Sequence, residues 1–251
     1  MAIPWLQADS PLPPTSWALD EHSEAPGLLA AGGGLAIARL RNAYSNGVFP
    51  WYSPGQPVLW WSPDPRMLLR TRDFRLSHSL RKTLRRFLRA PGCELRFDHD
   101  PLQVMAHCAQ TPREGQDGTW IVPEMQMAYG EWARHGDVHS VETWVDGELV
   151  GGLYGVTLGR TFFGESMFHR ARDASKVALV HLVARLRAGH YRLLDTQFVT
   201  DHLRTFGAVE VTRPAYHKLL DAALVGEGDF GALALDHPVA GSIALAQLAE
   251  K

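Results

Sequence analysis

Three polar side chains set among apolar neighbours are the first sign of chemistry in this chain. Glu165 falls in Thr161-Phe-Phe-Gly-Glu-Ser-Met-Phe168, and Asp195 and Gln197 stand two apart in Tyr191-Arg-Leu-Leu-Asp-Thr-Gln-Phe198. Both stretches read as strands, and residues two apart on a strand share a face. Two carboxylates and an amide gathered beside apolar strands can take protons or hydrogen bonds from a substrate. The cluster therefore marks a candidate working site.

The elements that must position it are legible as patterns. Ser140 to Val145 alternates sides and stops at Asp146-Gly147, a dipeptide suited to a two-residue hairpin turn. Glu148 to Leu158 carries Gly151, Gly152 and Gly155, and glycines inside a strand mark a bulge or a close approach of other atoms. Gly159-Arg160 turns the chain back into the Glu165 strand. Asp173 is placed to cap a helix over Ala174 to Ala188, with Val177, Leu179, Val180, Leu182, Val183 and Leu186 toward the sheet and Gly189 as its stop.

A chain of 251 residues, 45% apolar and 21% charged, has the length and balance of a soluble globular protein. It lacks an apolar run of the roughly 20 residues that a membrane helix needs, and its N-terminus lacks the pattern of a signal peptide. Two cysteines, Cys93 and Cys108, give neither a disulfide framework nor metal-ligand spacing. The expectation is a cytoplasmic protein with reduced thiols and no membrane attachment.

Net charge is only −2, yet residues 66–96 hold ten basic side chains against Asp73 and Glu94. Such concentration suits an anionic partner, nucleic acid above all. Part of it lies on a helix expected over residues 80–89, capped by Ser79, with Leu80, Leu84, Phe87 and Leu88 as the buried stripe. Upstream, the proline-rich residues 1–26 read as an irregular arm, and Leu35 to Ser45 as a helix closed by Gly47. Val48 to Met67 combines prolines with Trp51, Trp60 and Trp61, so it reads as a rigid irregular segment. One of the three indoles is expected to serve as a stacking surface and the others to pack. Helices are further expected from Pro101 to about Ala109, from Pro123 to His135, over Thr200 to Phe206 and from near Pro214.

Familiar catalytic patterns do not fit. The twelve histidines never form HExxH, so no metal is expected. Gly164-Glu-Ser-Met-Phe resembles a nucleophile elbow but lacks the final glycine and lies on a hairpin strand. Hairpin, long helix and strand do follow the order of acyl-coenzyme A N-acyltransferases. Met167-Phe-His-Arg-Ala-Arg-Asp-Ala, however, replaces their glycine-rich pyrophosphate loop.

A set of blocks taken together resembles the bacterial leucyl/phenylalanyl-tRNA–protein transferases, over residues 27–217. They are, in order, Gly27-Leu-Leu-Ala-Ala-Gly-Gly, Ala43-Tyr44 to Phe49-Pro-Trp, Leu59-Trp-Trp-Ser-Pro-Asp-Pro-Arg66, Gly118-Thr-Trp-Ile, and His139-Ser-Val-Glu. Leu149-Val-Gly-Gly-Leu-Tyr-Gly-Val, Gly164-Glu-Ser-Met-Phe and Ala174-Ser-Lys complete the set. Departures are Gly34, His169, Asp173 and Thr196, where the family usually has Asp, Ser, Asn and Cys.

The resemblance implies an α+β protein. A small N-terminal domain would span residues 1–70, and an N-acyltransferase-like α/β domain with a mixed, mostly antiparallel sheet would span residues 71–251. It also implies a monomer without cofactor that moves Leu, Phe or, less well, Met from tRNA to a protein starting with Arg or Lys. The product would enter N-end-rule degradation. Asp195 would polarise Gln197, whose oxygen receives a hydrogen bond from the attacking amine, and Glu165 would orient the acceptor. Trp51 and Trp120 would stack on the terminal adenosine. Leu153, Phe162, Leu179, Leu182 and Leu194 would form the amino-acid pocket. Arg75, Arg81, Lys82, Arg85 and Arg86 would hold the acceptor stem by its phosphates. Two competing readings are an acyl-coenzyme A N-acetyltransferase, which coenzyme A would protect from heat, and a noncatalytic tRNA-binding module, which would never release the amino acid.

Overall fold

In a computed structural model, described for residues 3–87, 89–112 and 119–233, the chain forms two β-sheets with helices on both faces of the larger one. Leu88 and Gly118, both used above, lie outside the described residues. The chain runs β1 (Trp5–Leu6), β2 (Leu28–Gly32), α1 (Ile37–Ser45), β3 (Phe49–Pro50), β4 (Leu59–Trp61) and β5 (Arg66–Arg70). It continues with α2 (His78–Phe87), β6 (Cys93–Phe97), α3 (Pro101–Gln110) and α4 (Pro123–Arg134). Then come β7 (Val138–Val145), β8 (Glu148–Leu158), β9 (Thr161–His169), α5 (Ala174–Ala188) and β10 (Leu193–Gln197). Last are α6 (Asp201–Arg204), β11 (Val209–Val211) and α7 (Arg213–Leu224). Among the described residues no helix is long and apolar enough to cross a membrane.

The large sheet has the order β11-β5-β10-β9-β8-β7-β6 and is antiparallel except for the β9–β10 pair. Strand alternation divides its side chains between two cores. Phe162, Leu194, Met67 and Leu69 meet α2 and α5 on one face, whereas Phe163, Leu193 and Leu68 meet α1, α4 and α7 on the other. The central hairpin forms as its sequence demands: Asp146 and Gly147 both take positive φ, as the tight turn requires. Gly155 sits at a register shift between β8 and β9, where an added Cβ would lie 2.2 Å from the Phe163 carbonyl oxygen.

Several expectations need correction. Val48 to Met67 is not wholly irregular: β3 and β4 pair in the small sheet with β2. Prolines there occupy strand ends and loops, which leaves the ladder intact. β1, in the expected irregular arm, adds a parallel edge to β2. β5 and β6, with few alternating residues to mark them, are strands of the large sheet. Ser77, not Ser79, meets the start of α2, its Oγ accepting from the Leu80 N–H at 3.2 Å. Asp173 precedes α5 in the left-handed region and makes no side-chain cap. Its Oδ1 instead accepts from Lys176 Nζ at 2.8 Å. Asp100 does cap α3, accepting from the Gln103 N–H at 2.9 Å.

Candidate active site

The site forms where the two parallel strands stop pairing. β10 follows β9 only from Leu193↔Thr161 to Asp195↔Phe163. Beyond that point Glu165 and Gln197 face each other side chain to side chain. Gln197 adopts φ 62°, a left-handed backbone unusual for a residue with a Cβ, next to a register shift between β10 and β5. Its N–H donates to Asp195 Oδ1 at 2.9 Å, which holds it there.

Asp195 is 0% exposed. Arg66 grips it with two bonds, Nε to Oδ1 at 2.9 Å and Nη2 to Oδ2 at 2.6 Å, and the Tyr216 hydroxyl donates to Oδ2 at 2.6 Å. Burial alone would lower the Arg66 pKa, but the carboxylate against it more than offsets this and the guanidinium is held above its ordinary range. Arg66 therefore does not belong to the anion-binding excess that the sequence suggested; it is a buried structural partner. Asp195 also departs from its expected role, because it accepts from the Gln197 backbone N–H rather than from the side-chain amide.

Glu165 Oε1 accepts from Gln197 Nε2 at 2.9 Å and from the Tyr44 hydroxyl at 2.7 Å. Among the described residues its buried Oε2 has no hydrogen-bond partner. Burial pushes this carboxyl up to about 8, against the pull of the two donors. The Tyr44 oxygen also meets the Tyr129 hydroxyl in a short contact. Since Tyr44 has one proton and gives it to Glu165, Tyr129 is the donor to Tyr44. Burial raises both phenols well above their ordinary range, so the chain of hydroxyls stays neutral.

Glu165 and Gln197 lie on the wall of a cavity of about 410 Å³. Leu153, Phe162, Leu179, Leu182 and Leu194 line its apolar part, and Trp51 and Trp120 also border it. The structure thus brings together nine residues singled out in sequence. Asp195 is not on the wall. Of the three indoles near residue 60, Trp60 is fully buried with Nε1 donating to the Gly32 carbonyl at 2.8 Å, and Trp61 donates to the Trp51 carbonyl at 2.6 Å. Trp51 is the one that reaches the cavity, held edge-on by Trp61 and Phe198 at 5.3 and 5.5 Å between ring centres.

With that geometry in place, the sequence model of the leucyl/phenylalanyl-tRNA protein transferases matches residues 68–221, and the model of their N-terminal domain matches residues 33–64. The chain belongs to the leucyl/phenylalanyl-tRNA–protein transferase family. The leucyl/phenylalanyl-tRNA–protein transferase of Methylibium petroleiphilum is 64% identical over 213 residues, covering 84% of this chain and 80% of the relative. That of Leptothrix cholodnii is 60% identical over 217 residues, covering 85% of each. A solved structure, L-PGS from Bacillus licheniformis, overlays with a TM-score of 0.43 at 11% identity, over 80% of this chain and 72% of that one.

In this member of the transferase family the basic residues stand apart from the cavity. Arg75, Lys82, Arg85 and Arg86 are exposed and Arg81 is half-buried, on and just before α2. Arg75 donates its N–H to the Phe206 carbonyl at 2.8 Å, which places it beside α6, whose His202 and Leu203 line the cavity. Sequence reading missed Arg66, Tyr44, Tyr129 and Tyr216 as supports of the site. Three are tyrosines in helices, indistinguishable by local pattern from core residues, and only tertiary pairing reveals them. Arg66 carried a signal in the Pro-Arg that closes the aromatic block, but its charge pointed toward solvent.

Proposed function

We propose that this protein transfers leucine, phenylalanine and, less well, methionine from aminoacyl-tRNA to the N-terminal Arg or Lys of acceptor proteins, marking them for N-end-rule degradation. The observation that carries the reading is the Glu165–Gln197 hydrogen bond on the wall of an apolar cavity that two tryptophans also line. An apolar hollow suits an uncharged side chain, indoles suit an adenine, and a carboxyl with a free buried oxygen suits an incoming cation.

The reaction asks little acid–base strength of the protein. The α-amino group, with a pKa of about 7.7–8.0, is partly neutral at physiological pH, and the ester donor is already activated. Alignment is the main requirement. The amine nitrogen bonds to the ester carbonyl carbon, the bond to the terminal ribose oxygen breaks, and the proton lost by the amine ends on that oxygen. Gln197 commits its Nε2 to Glu165, which leaves its Oε1 to accept a hydrogen bond from the amine. Glu165, uncharged near neutrality when alone, ionises as a guanidinium or ammonium comes to its free oxygen. Asp195 works as a positioning residue: held by Arg66 and Tyr216, it fixes the strained backbone from which Gln197 projects.

Support for an N-acyltransferase-like large domain comes from the splayed parallel β9–β10 pair with α5 between its strands in sequence. We place the boundary of the smaller N-terminal domain before Arg66 rather than at residue 70, since β5 pairs with β10 and β11. Within this reading the protein acts as a monomer in the cytoplasm. Arg75 and the α2 cations would hold the acceptor stem. Incubating the protein with radiolabelled leucyl-tRNA and a peptide starting with Arg should move the label to the peptide; label that never leaves the tRNA would refute transfer. An apolar pocket discriminates by one methylene only about 10–200-fold, so methionine should be accepted where aspartate is not.

A further inference from the structure

A second concave site lies at the opposite end of β10 from Gln197. It is a cleft of about 470 Å³ whose polar wall is formed by Arg70, Thr71, Arg72 and Arg192, closed by Leu219 of α7. Among the described residues that line it, three are arginines and none is acidic. Arg187 backs it, donating from Nε to the Thr71 carbonyl at 2.8 Å and from Nη2 to the Arg72 carbonyl at 3.0 Å. Asp73 is the nearby counter-charge, at 3.9 Å from Arg70 and 3.8 Å from Arg72, too long for strong pairing. Arg72 keeps 78% of its side chain exposed. The fold explains why the cleft exists. β11 pairs with β5 only at Arg66–Leu68, so Arg70 lies past the end of that partner strand.

Arginines lining a concavity with no matching carboxylates suit phosphate, which their planar donor forks grip in pairs. The cleft is not the place for the amino acid or the terminal adenosine: Arg192 and Gln197 are five residues apart on an extended strand, roughly 16 Å. Arg70, Arg72 and Arg75 follow one another on the segment that leads from β5 into α2, so the cleft prolongs the basic track already described. We infer that the Arg70–Arg72–Arg192 cleft binds backbone phosphates of the donor tRNA, beyond those held by α2. The inference rests on the transfer reading above.

The test compares leucyl-tRNA with leucyl-adenosine, a donor that has no phosphate, in wild type and in the triple variant Arg70→Gln, Arg72→Gln, Arg192→Gln. Each phosphate contact steepens the fall of log affinity with log salt by about 0.7–0.9, the range from single strands to B-form duplexes. The triple variant should therefore bind tRNA with a slope shallower by roughly 2–3, and Arg72→Gln alone, at an exposed position, by about 1. Transfer from leucyl-adenosine should stay within about twofold of wild type, as expected of a site remote from the chemistry. An unchanged slope would overturn the inference, and so would equal losses with both donors, which would point to damaged folding. Thermal protection by inorganic phosphate, lost in the triple variant while the tRNA slope stays put, would assign a small phosphate ligand and equally overturn it. If wild type moved leucine from neither donor, the transfer reading itself would fall, while the slopes would still judge the cleft.

Discussion

Arg66→Met is the substitution whose consequence follows most directly from the structure. It removes both guanidinium bonds from an Asp195 carboxylate that is 0% exposed, leaving the Tyr216 hydroxyl and the Gln197 N–H as donors. Deleting one member of a buried ion pair strands the other charge and costs about 3–5 kcal/mol. The two surviving donors favour the lower half of that range. For a chain of this size each kcal/mol moves Tm by about 2–4 °C, so a loss of about 3–4 kcal/mol should lower the melting point by about 6–16 °C. Urea unfolding followed by circular dichroism measures the free energy directly. The double variant Arg66→Met, Asp195→Asn supplies the control, because a buried amide needs no counter-ion and should regain at least half the loss. A single variant within about 1 kcal/mol of wild type, the level of a surface pair, would refute the buried-charge reasoning. A double variant no better than the single would refute it too.

Other outcomes follow from the same geometry. Burial raises Glu165 from 4.5 to about 8, so the folded protein holds this proton more tightly than the unfolded chain does. Its contribution to stability is complete below pH 4.5 and is lost as pH rises through about 8. Glu165→Gln should therefore gain about 2–4 kcal/mol on wild type between those limits in urea titrations, and parallel pH profiles would contradict the raised pKa. Trp51→Ala should raise KM for aminoacyl-tRNA by about 5–100-fold with little change in kcat, matching the loss of one stacked base; an unaltered KM would remove the indole from donor binding. Leu182→Phe puts a ring into the apolar wall and should shift competition between the two donors toward leucyl-tRNA by about tenfold or more. An unmoved ratio would take Leu182 off the specificity surface.

The parts of the fold that were legible in sequence are those set by local pattern. The β7–β8 hairpin follows from alternation and Asp146-Gly147, and α5 from its apolar stripe and Gly189. What stayed hidden depends on partners distant in sequence. β3 and β4 have two and three residues, too few for a period, and exist because each completes the other's ladder. Arg66 counted as one more cation until Asp195, 129 residues away, gave it a buried partner. The candidate site shows the same division. Glu165 and Gln197 could be named from strand pattern, whereas the pocket leucines came only from the family resemblance. The expectation that Asp195 and Gln197 act side by side on one strand face missed the left-handed turn of Gln197, which sends one side chain to Arg66 and the other to Glu165. Caps misled for a related reason: Asp173 has the right residue type but binds Lys176 instead.

The decisive measurement is single-turnover transfer of labelled leucine from tRNA to an Arg-starting peptide by wild type and by Gln197→Ala. Loss of a positioned acceptor for the amine proton should slow the variant by about 100-fold or more while leucyl-tRNA still binds. Transfer at a near-normal rate would show that alignment in the cavity suffices, and would contradict the role given to the Glu165–Gln197 pair.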